Sequence, residues 1–461
     1  MGMDDRIFSD GKISKILLRF AIPAIISLLV AELYNMVDTI YVGRYIGANA
    51  IAALTIAFPI QRFLIALGFL VAVGASTYVS RNLGEKNFLE IEKTIINAFV
   101  ITLTLMVFMT FLIFFFKESI LYKLGASNVT YSLTNEYVSI VLMGGIFQCL
   151  GLVGCYIMTS LGNTKITLYA NSIGAILNII LDYILVAYYG VGIQGAAIAT
   201  VVSQIVSFFF VLYRFKEVFK SFKIKISIRS IFSSLSLDIT SGIIAIGFST
   251  FVIEISDAVV SVILNNLLYS KGGDTAIIII GVITKISMFM FIAIIGISSA
   301  MQPIVAYNFG AEKYNRMKET VIVSIKTVTI ISIIFAAVLG FLSNEIIGFF
   351  LMDEKILPSA VKAFRICISL LPFAGVYYIG IYYYQAIGEA KKSFFLSIFR
   401  QLVVFIPLAI IFVQILGTLG AWIAYPISDL ISSSISLYLL NKASKKDIAS
   451  DKLPSKKVAL N

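Results

Sequence analysis

Residues 94–116 read TIINAFVITLTLMVFMTFLIFFF, a run from Thr94 to Phe116 without one charged side chain. A bilayer core needs about 20 apolar residues per helix, so this run alone is long enough to cross it. Membrane β-strands alternate apolar and polar residues; this run is apolar all round and therefore reads as a helix. Eleven further stretches share its character, giving twelve predicted spans near residues 15–43, 50–80, 94–116, 134–158, 164–189, 193–214, 238–268, 276–306, 320–343, 360–387, 394–415 and 418–441. The first is too long for a cleaved signal, and no small-residue cleavage site follows it. Composition agrees. The chain of 461 residues is 59% hydrophobic and 13% charged, with a mean hydropathy of +0.97, whereas soluble domains carry about 25% charge. The expected fold class is an all-α polytopic membrane protein embedded in the lipid bilayer.

Orientation follows from the basic residues, because cytoplasmic loops collect Lys and Arg. Of the 36, 25 fall on the amino-terminal side of the membrane, six on the other, and five (Arg62, Lys285, Lys326, Arg365, Arg400) inside spans. Both termini are therefore expected in the cytoplasm. Read loop by loop, the +11 net charge is a topology signal and gives no reason to expect nucleic acid.

Several function classes drop out. Histidine is absent, which removes His triads, His metal sites and His proton relays. Cys149, Cys155 and Cys367 lie in apolar segments and match no zinc or CxxC spacing. They read as small core residues. No GxxxxGK[ST] phosphate loop, channel filter loop or charged ring is present. Neither is a Ser–Lys pair on matched spans, and the chain is not expected to be an enzyme or to carry a cofactor.

Sliding the chain on itself by 226 residues aligns Asn82-Leu83-Gly84-Glu85-Lys86 with Asn308-Phe309-Gly310-Ala311-Glu312-Lys313. Thr94 then falls on Thr320, Gly162 on Gly388 and Lys165 on Lys391, while Gly195-Ala196 falls on Gly420-Ala421 with one residue of slippage. Six spans per repeat give the halves one orientation, related by a pseudo-two-fold axis along the membrane normal. The expected organisation is an amino-terminal lobe over 1–214, a basic cytoplasmic linker over 215–237 (Lys216, Lys220, Lys223, Lys225, Arg229), a carboxy-terminal lobe over 238–441 and a basic tail over 442–461. Duplicated six-helix halves are a transporter architecture, with the substrate path at the repeat interface.

An ionisable group in the bilayer costs at least about 2.5 kcal/mol and so asks for a partner or a task. The acids within spans are Glu32, Asp38, Asp182, Glu254, Asp257 and Asp429. At 1.5 Å per residue, Asp38, Asp182 and Thr200 each lie about 9–12 Å below the outer ends of their helices. Asn178 shares a helical face with Asp182, four residues on. Two carboxylates, an amide and a hydroxyl thus share one level. Such a set suits Na⁺, which takes hard oxygen ligands, or a proton held by a desolvated carboxylate; pairing with a buried base is the structural alternative.

Ile22-Pro23 early in the first span, followed by Tyr34-Asn35-Met36-Val37-Asp38-Thr39-Ile40-Tyr41-Val42-Gly43, resembles the opening helix of the multidrug and toxic compound extrusion (MATE) family. Leu177-Asn178-Ile179-Ile180-Leu181-Asp182 is similar to that family's LNxxLD signature, and Gly195-Ala196-Ala197-Ile198-Ala199-Thr200 to its GAAxAT motif. The likeness runs over essentially the whole chain and is strongest toward the bacterial DinF- and MepA-like branch. It implies a cation site at Asp38, Asn178, Asp182 and Thr200, with Na⁺ or H⁺ as coupling ion, and a first helix that bends at Pro23. It also implies secondary active export of organic, mostly cationic drugs or toxic metabolites by antiport through alternating access. The protein would be a monomer in the bacterial inner membrane.

The second half departs from the NorM-type pattern, since span 360–387 contains no acid to partner those of the seventh span. Glu254 and Asp257 are thus expected to pair with Lys285 or Arg400, or to meet cationic substrate. Tyr34, Asn35, Met36, Met288, Met290, Tyr378 and Tyr382 are candidate cavity residues, because aromatic faces and thioethers suit flat organic cations. The competing reading within the superfamily is a flippase for lipid-linked sugars or lipids. It fits less well, because such flippases tend to have a strongly cationic cavity, and here five bases face six acids within the spans.

Overall fold

The computed structural model describes residues 8, 11–222, 232–351, 353 and 355–451, the side chains of 444–451 excepted. Lys223, Lys225 and Arg229 of the expected linker and residues 452–461 of the expected tail lie outside the described residues. The described chain is helical and has no strands. The helices of the first half are α1 (Ile13–Tyr45), α2 (Ala48–Gly84), α3 (Phe88–Lys123), α4 (Tyr131–Ser160), α5 (Ile166–Asp182) and α6 (Ile193–Ser221).

Leu237–Gly310 follows as 74 continuous helical residues, about 110 Å at 1.5 Å per residue and far more than one bilayer crossing needs. It breaks at Gly273 (φ 56°, ψ −152°) into α7 (237–272) and α8 (274–310). Next come α9 (Tyr314–Phe341) and the short α10 (Ser343–Phe350). The tenth span is a pair, α11 (Leu357–Ile368) and α12 (Leu371–Ala386), bent by 45°. Pro372 sits in the first turn of α12, where its missing N–H and ring stop α11 from running on. The eleventh span runs from α13 (Ala390–Ile398) through a π-helical stretch, Phe399–Phe405, to α14 (Ile406–Leu416). Pro407 lies just beyond the π stretch; it cannot donate to the turn before it, and the ladder widens there. The last span is α15 (Thr418–Asp451). With the broken helix counted as two spans and the bent pair as one, the described residues cross the membrane twelve times, as the hydropathy predicts.

The repeat is written in the backbone. Among non-glycine residues, positive φ occurs at Lys86 (59°) and Glu312 (56°), which are 226 apart. Each closes the same helix stop: Asn87 N–H donates to Asn82 O at 2.9 Å and Lys313 N–H to Asn308 O at 2.8 Å, the six-to-one bond that satisfies a terminal carbonyl. Thr94 and Thr320 each bond the carbonyl four residues back, at 2.6 and 2.8 Å. Positive-φ glycines also pair at this spacing, Gly47 with Gly273 and Gly162 with Gly388.

Contacts divide the described chain into two units, one of residues 19–255, the other of Phe8–Leu18 with residues from 256 onward. In the first, α2, α4 and α6 pack around a core that includes Val42, Leu64, Met106, Leu142 and Ala196. The start of α7 belongs to this unit. It lies so close to α2 that a Cβ on Gly247 would stand 1.7 Å from Leu70 O and one on Gly74 2.0 Å from Ile243 O. Only glycine permits such an approach, the usual device for packing helices in lipid. In the second unit α12 packs against α9, α13 and α15. Its amino-terminal segment is held by Arg316, which donates to Phe8 O (3.3 Å) and Gly11 O (2.9 Å), and by Phe8 stacked on Tyr307 at 4.9 Å.

Candidate cation-binding site

The four residues singled out by their depth lie on α1, α5 and α6, at positions that all belong to the first unit. Asp38 (8% exposed), Asn178 (1%), Asp182 (0%) and Thr200 (5%) are all buried. The Asp38 and Asp182 carboxyls lie within interaction range of each other. Asp182 is the last residue of α5 before a π-helical stretch, Tyr183–Tyr188. The Tyr189 N–H reaches back five residues to Ile184 O at 2.9 Å, so the helix widens directly after the carboxylate. Such π segments are frequent at functional sites.

Five buried atoms of this group (Asp38 Oδ1, both Asp182 oxygens, Asn178 Oδ1 and Nδ2) meet no hydrogen-bond partner among the described residues. Leaving a buried polar atom unmet costs about 1–3 kcal/mol, more for a charged one, and most are met in folded proteins. Two carboxylates side by side out of water repel unless a cation or a proton stands between them. The donor set is hard oxygen, suited to an alkali cation or to a proton shared by the pair. Thr200 Oγ1 bonds Ala196 O at 3.1 Å and keeps its lone pairs for a further partner. It also lies beside the Tyr137 hydroxyl, which accepts from Gln61 Nε2 at 3.3 Å.

A family profile described as MatE matches residues 23–184 and 245–411. The chain belongs to the MatE family. It is a multi-pass membrane transporter of the multidrug-efflux type, and not an enzyme. The multidrug export protein MepA of Staphylococcus saprophyticus is 27% identical over 416 residues, 90% of each chain. A solved MATE structure in the bent conformation superposes with a TM-score of 0.91 at 24% identity, over 97% of this chain and 99% of that one. Another in the straight conformation gives 0.89 at 25% identity, over 96% and 98%.

In this MatE member the remaining predicted residues scatter. Pro23 is buried within α1, which continues through it. Tyr34 is half-buried, within electrostatic reach of Asp38, Asp182, Glu32 and Arg62; Asn35 and Met36 are exposed. In the second unit Met290 is buried and Met288 half-buried, and Tyr378 and Tyr382 are buried.

The helix α7 acids part company. Glu254 faces Arg62, a base of its own unit that the sequence reading left without a role, at 3.8 Å. Asp257 accepts from Gln401 Nε2. Arg400 is taken up by Asp429, Nε to Oδ1 at 2.6 Å, so the base proposed for the α7 acids already has a carboxylate. Tyr137, Gln61 and Arg62 went unnamed as site residues in the sequence. The signal was there for the last two, adjacent polar residues inside an apolar span.

Proposed function

We propose that this protein is a secondary active exporter of organic, mostly cationic compounds, driven by antiport of Na⁺ or H⁺ bound at Asp38, Asn178, Asp182 and Thr200. The observation that carries this reading is the buried carboxylate pair with its unmet oxygens beside an unmet amide. A site of this kind asks for a small cation and can release it when α1 or α5 moves. The ion is cargo here. It enters from outside, binds between Asp38 and Asp182 and offsets one of their two charges, and leaves toward the cytoplasm while substrate goes the other way. Cation and substrate must favour different facings of the protein, since a ligand shifts a conformational equilibrium only by its differential affinity. Pro23 supports this reading. It removes one rung of the α1 ladder and gives the helix that carries Asp38 a place to bend, and MATE structures are known in bent and straight conformations. Both termini face the cytoplasm in this reading, and the protein acts as a monomer.

The test is transport by purified protein in proteoliposomes holding a pH-sensitive dye, with and without a Na⁺ gradient. Cationic drug should release protons or Na⁺ in wild type and neither in Asp38→Asn. Coupled export by a well-folded Asp38→Asn protein would overturn the site assignment.

A further inference from the structure

Arg62 of α2 stands between two carboxylates of the first unit. Its Nη2 lies 3.6 Å from Glu32 Oε1 on α1 and its Nη1 3.8 Å from Glu254 Oε2 on α7. Glu32 sits thirteen residues before the outer end of α1, and Arg62 fourteen after the outer start of α2. Both are therefore about 20 Å along their helices, near mid-membrane. The three side chains are nonetheless 24–40% exposed. Charged groups at this depth face protein or a water-filled opening, because lipid contact is prohibitive, so this exposure is to water.

The geometry differs from that of a structural ion pair in the same protein. Arg400 and Asp429 are 10% and 4% exposed and 2.6 Å apart, a short bond sealed from solvent. The Arg62 contacts are long, solvated and split between two partners, so they are cheap to exchange. The surroundings suit a larger cation. The Arg62 guanidinium lies 5.0 Å from the Phe58 ring centre, Tyr34 is within reach of Glu32 and Arg62, and Tyr156 is within reach of Glu254. Two carboxylates with aromatic faces beside them are the elements that bind a delocalised organic cation.

We propose that Arg62 is a specificity-determining residue, a tethered guanidinium that fills the Glu32–Glu254 carboxylate pair and must be displaced by an incoming organic cation. The residue sets a threshold. A delocalised cation with aromatic surface competes with Arg62 by adding ring contacts, whereas a small hydrated cation brings none and is excluded. This inference rests on the organic-cation reading above and names the groups that select the substrate.

The test is equilibrium binding of radiolabelled tetraphenylphosphonium to the purified full-length protein at fixed pH and Na⁺. Arg62→Gln and Arg62→Met, two neutral replacements of different polarity, should each bind about fivefold tighter, the scale that partly solvated ion pairs set. Arg62→Lys should bind as wild type does. Glu254→Gln should weaken binding, and Arg62→Gln should no longer tighten it when Glu32 and Glu254 are both Gln. Unchanged or weaker binding in whichever neutral variant is monodisperse, with wild type still binding, overturns the role of Arg62 and leaves the organic-cation reading standing. No binding by wild type overturns both.

Discussion

Removing one member of the Arg400–Asp429 pair should damage the protein more than removing both. The pair joins the π-helical stretch Phe399–Phe405 to α15 at 2.6 Å, with residue exposures of 8% and 3%. Breaking a buried pair typically costs 3–5 kcal/mol because the survivor keeps an uncompensated charge, while replacing both by apolar groups of similar volume is often neutral or better. The two single losses are not equivalent. A stranded carboxylate can shed its charge by binding a proton, whereas a guanidinium stays charged at any pH the protein survives. Asp429→Asn should therefore be the harsher change, near the upper end of that range, and Arg400→Gln the milder. A cooperative unit of about 200 residues shifts by roughly 2–4 °C per kcal/mol, so Asp429→Asn should lower the melting temperature in detergent by about 10 °C or more. Arg400→Met with Asp429→Leu should recover most of that loss. The assay is thermal melting followed by fluorescence-detected size exclusion, with the four proteins forming a double-mutant cycle. Additive effects of the singles, or Arg400→Gln melting below Asp429→Asn, would refute the reasoning.

At the cation site, Asp182→Asn should abolish ion-coupled export, whereas Glu254→Gln and Asp257→Asn should be milder for coupling, read as ions moved per drug at saturating drug in proteoliposomes; the reverse order would move the coupling site to α7. Gly247→Val should prevent α7 from seating on α2, because a Cβ there meets Leu70 O at 1.7 Å. Its yield of monodisperse protein should fall severely, and a well-behaved variant would contradict the close packing. Replacing Cys149, Cys155 and Cys367 by Ala should leave transport intact, since all three are buried, free thiols. Single cysteines at Ser27 and Ser256, which are 1% and 2% exposed, should be protected in this state. They should gain maleimide reactivity when substrate or ion shifts the conformation, and equal reactivity under all conditions in a transporting protein would argue against alternating access.

The span pattern was legible because lipid forces it: each helix must be apolar over its own length, so hydropathy marks it without knowledge of its neighbours. The break at Gly273 falls in the gap predicted between spans 238–268 and 276–306, whereas the 45° bend at Pro372 lies inside the span predicted unbroken over 360–387 and was missed, although a proline acts on its own turn. Counting residues put Asp38 and Asp182 at one level, and the structure buries both in one unit. Pairing between spans did not follow. Arg62 faces Glu254 across nearly two hundred residues of chain, and Arg400 chose Asp429 over the α7 acids. Those choices depend on helix rotation and on which neighbours pack together, and neither leaves a periodic trace. The π stretch after Asp182 was equally hidden. It contains no proline, so nothing in its residues distinguishes it from ordinary helix.

The border between the packing units does not follow the border between the repeats. Residues 8–18 belong with the carboxy-terminal unit, while the start of α7, through Ile255, belongs with the amino-terminal one. Shifted by the 226-residue repeat, residues 11–18 become 237–244, which lie in that same start of α7. Each half has thus lent its opening segment to the other. In a single-copy chain this trade would join two identical copies, each completing its partner's helix bundle, an exchanged-segment dimer. In the present chain the two repeats are fused, so the exchange is held by a covalent tether and does not depend on concentration. A chain cut within residues 223–231 would undo the fusion. Neither fragment alone contains a finished bundle, and the two should regain a fold only when made together.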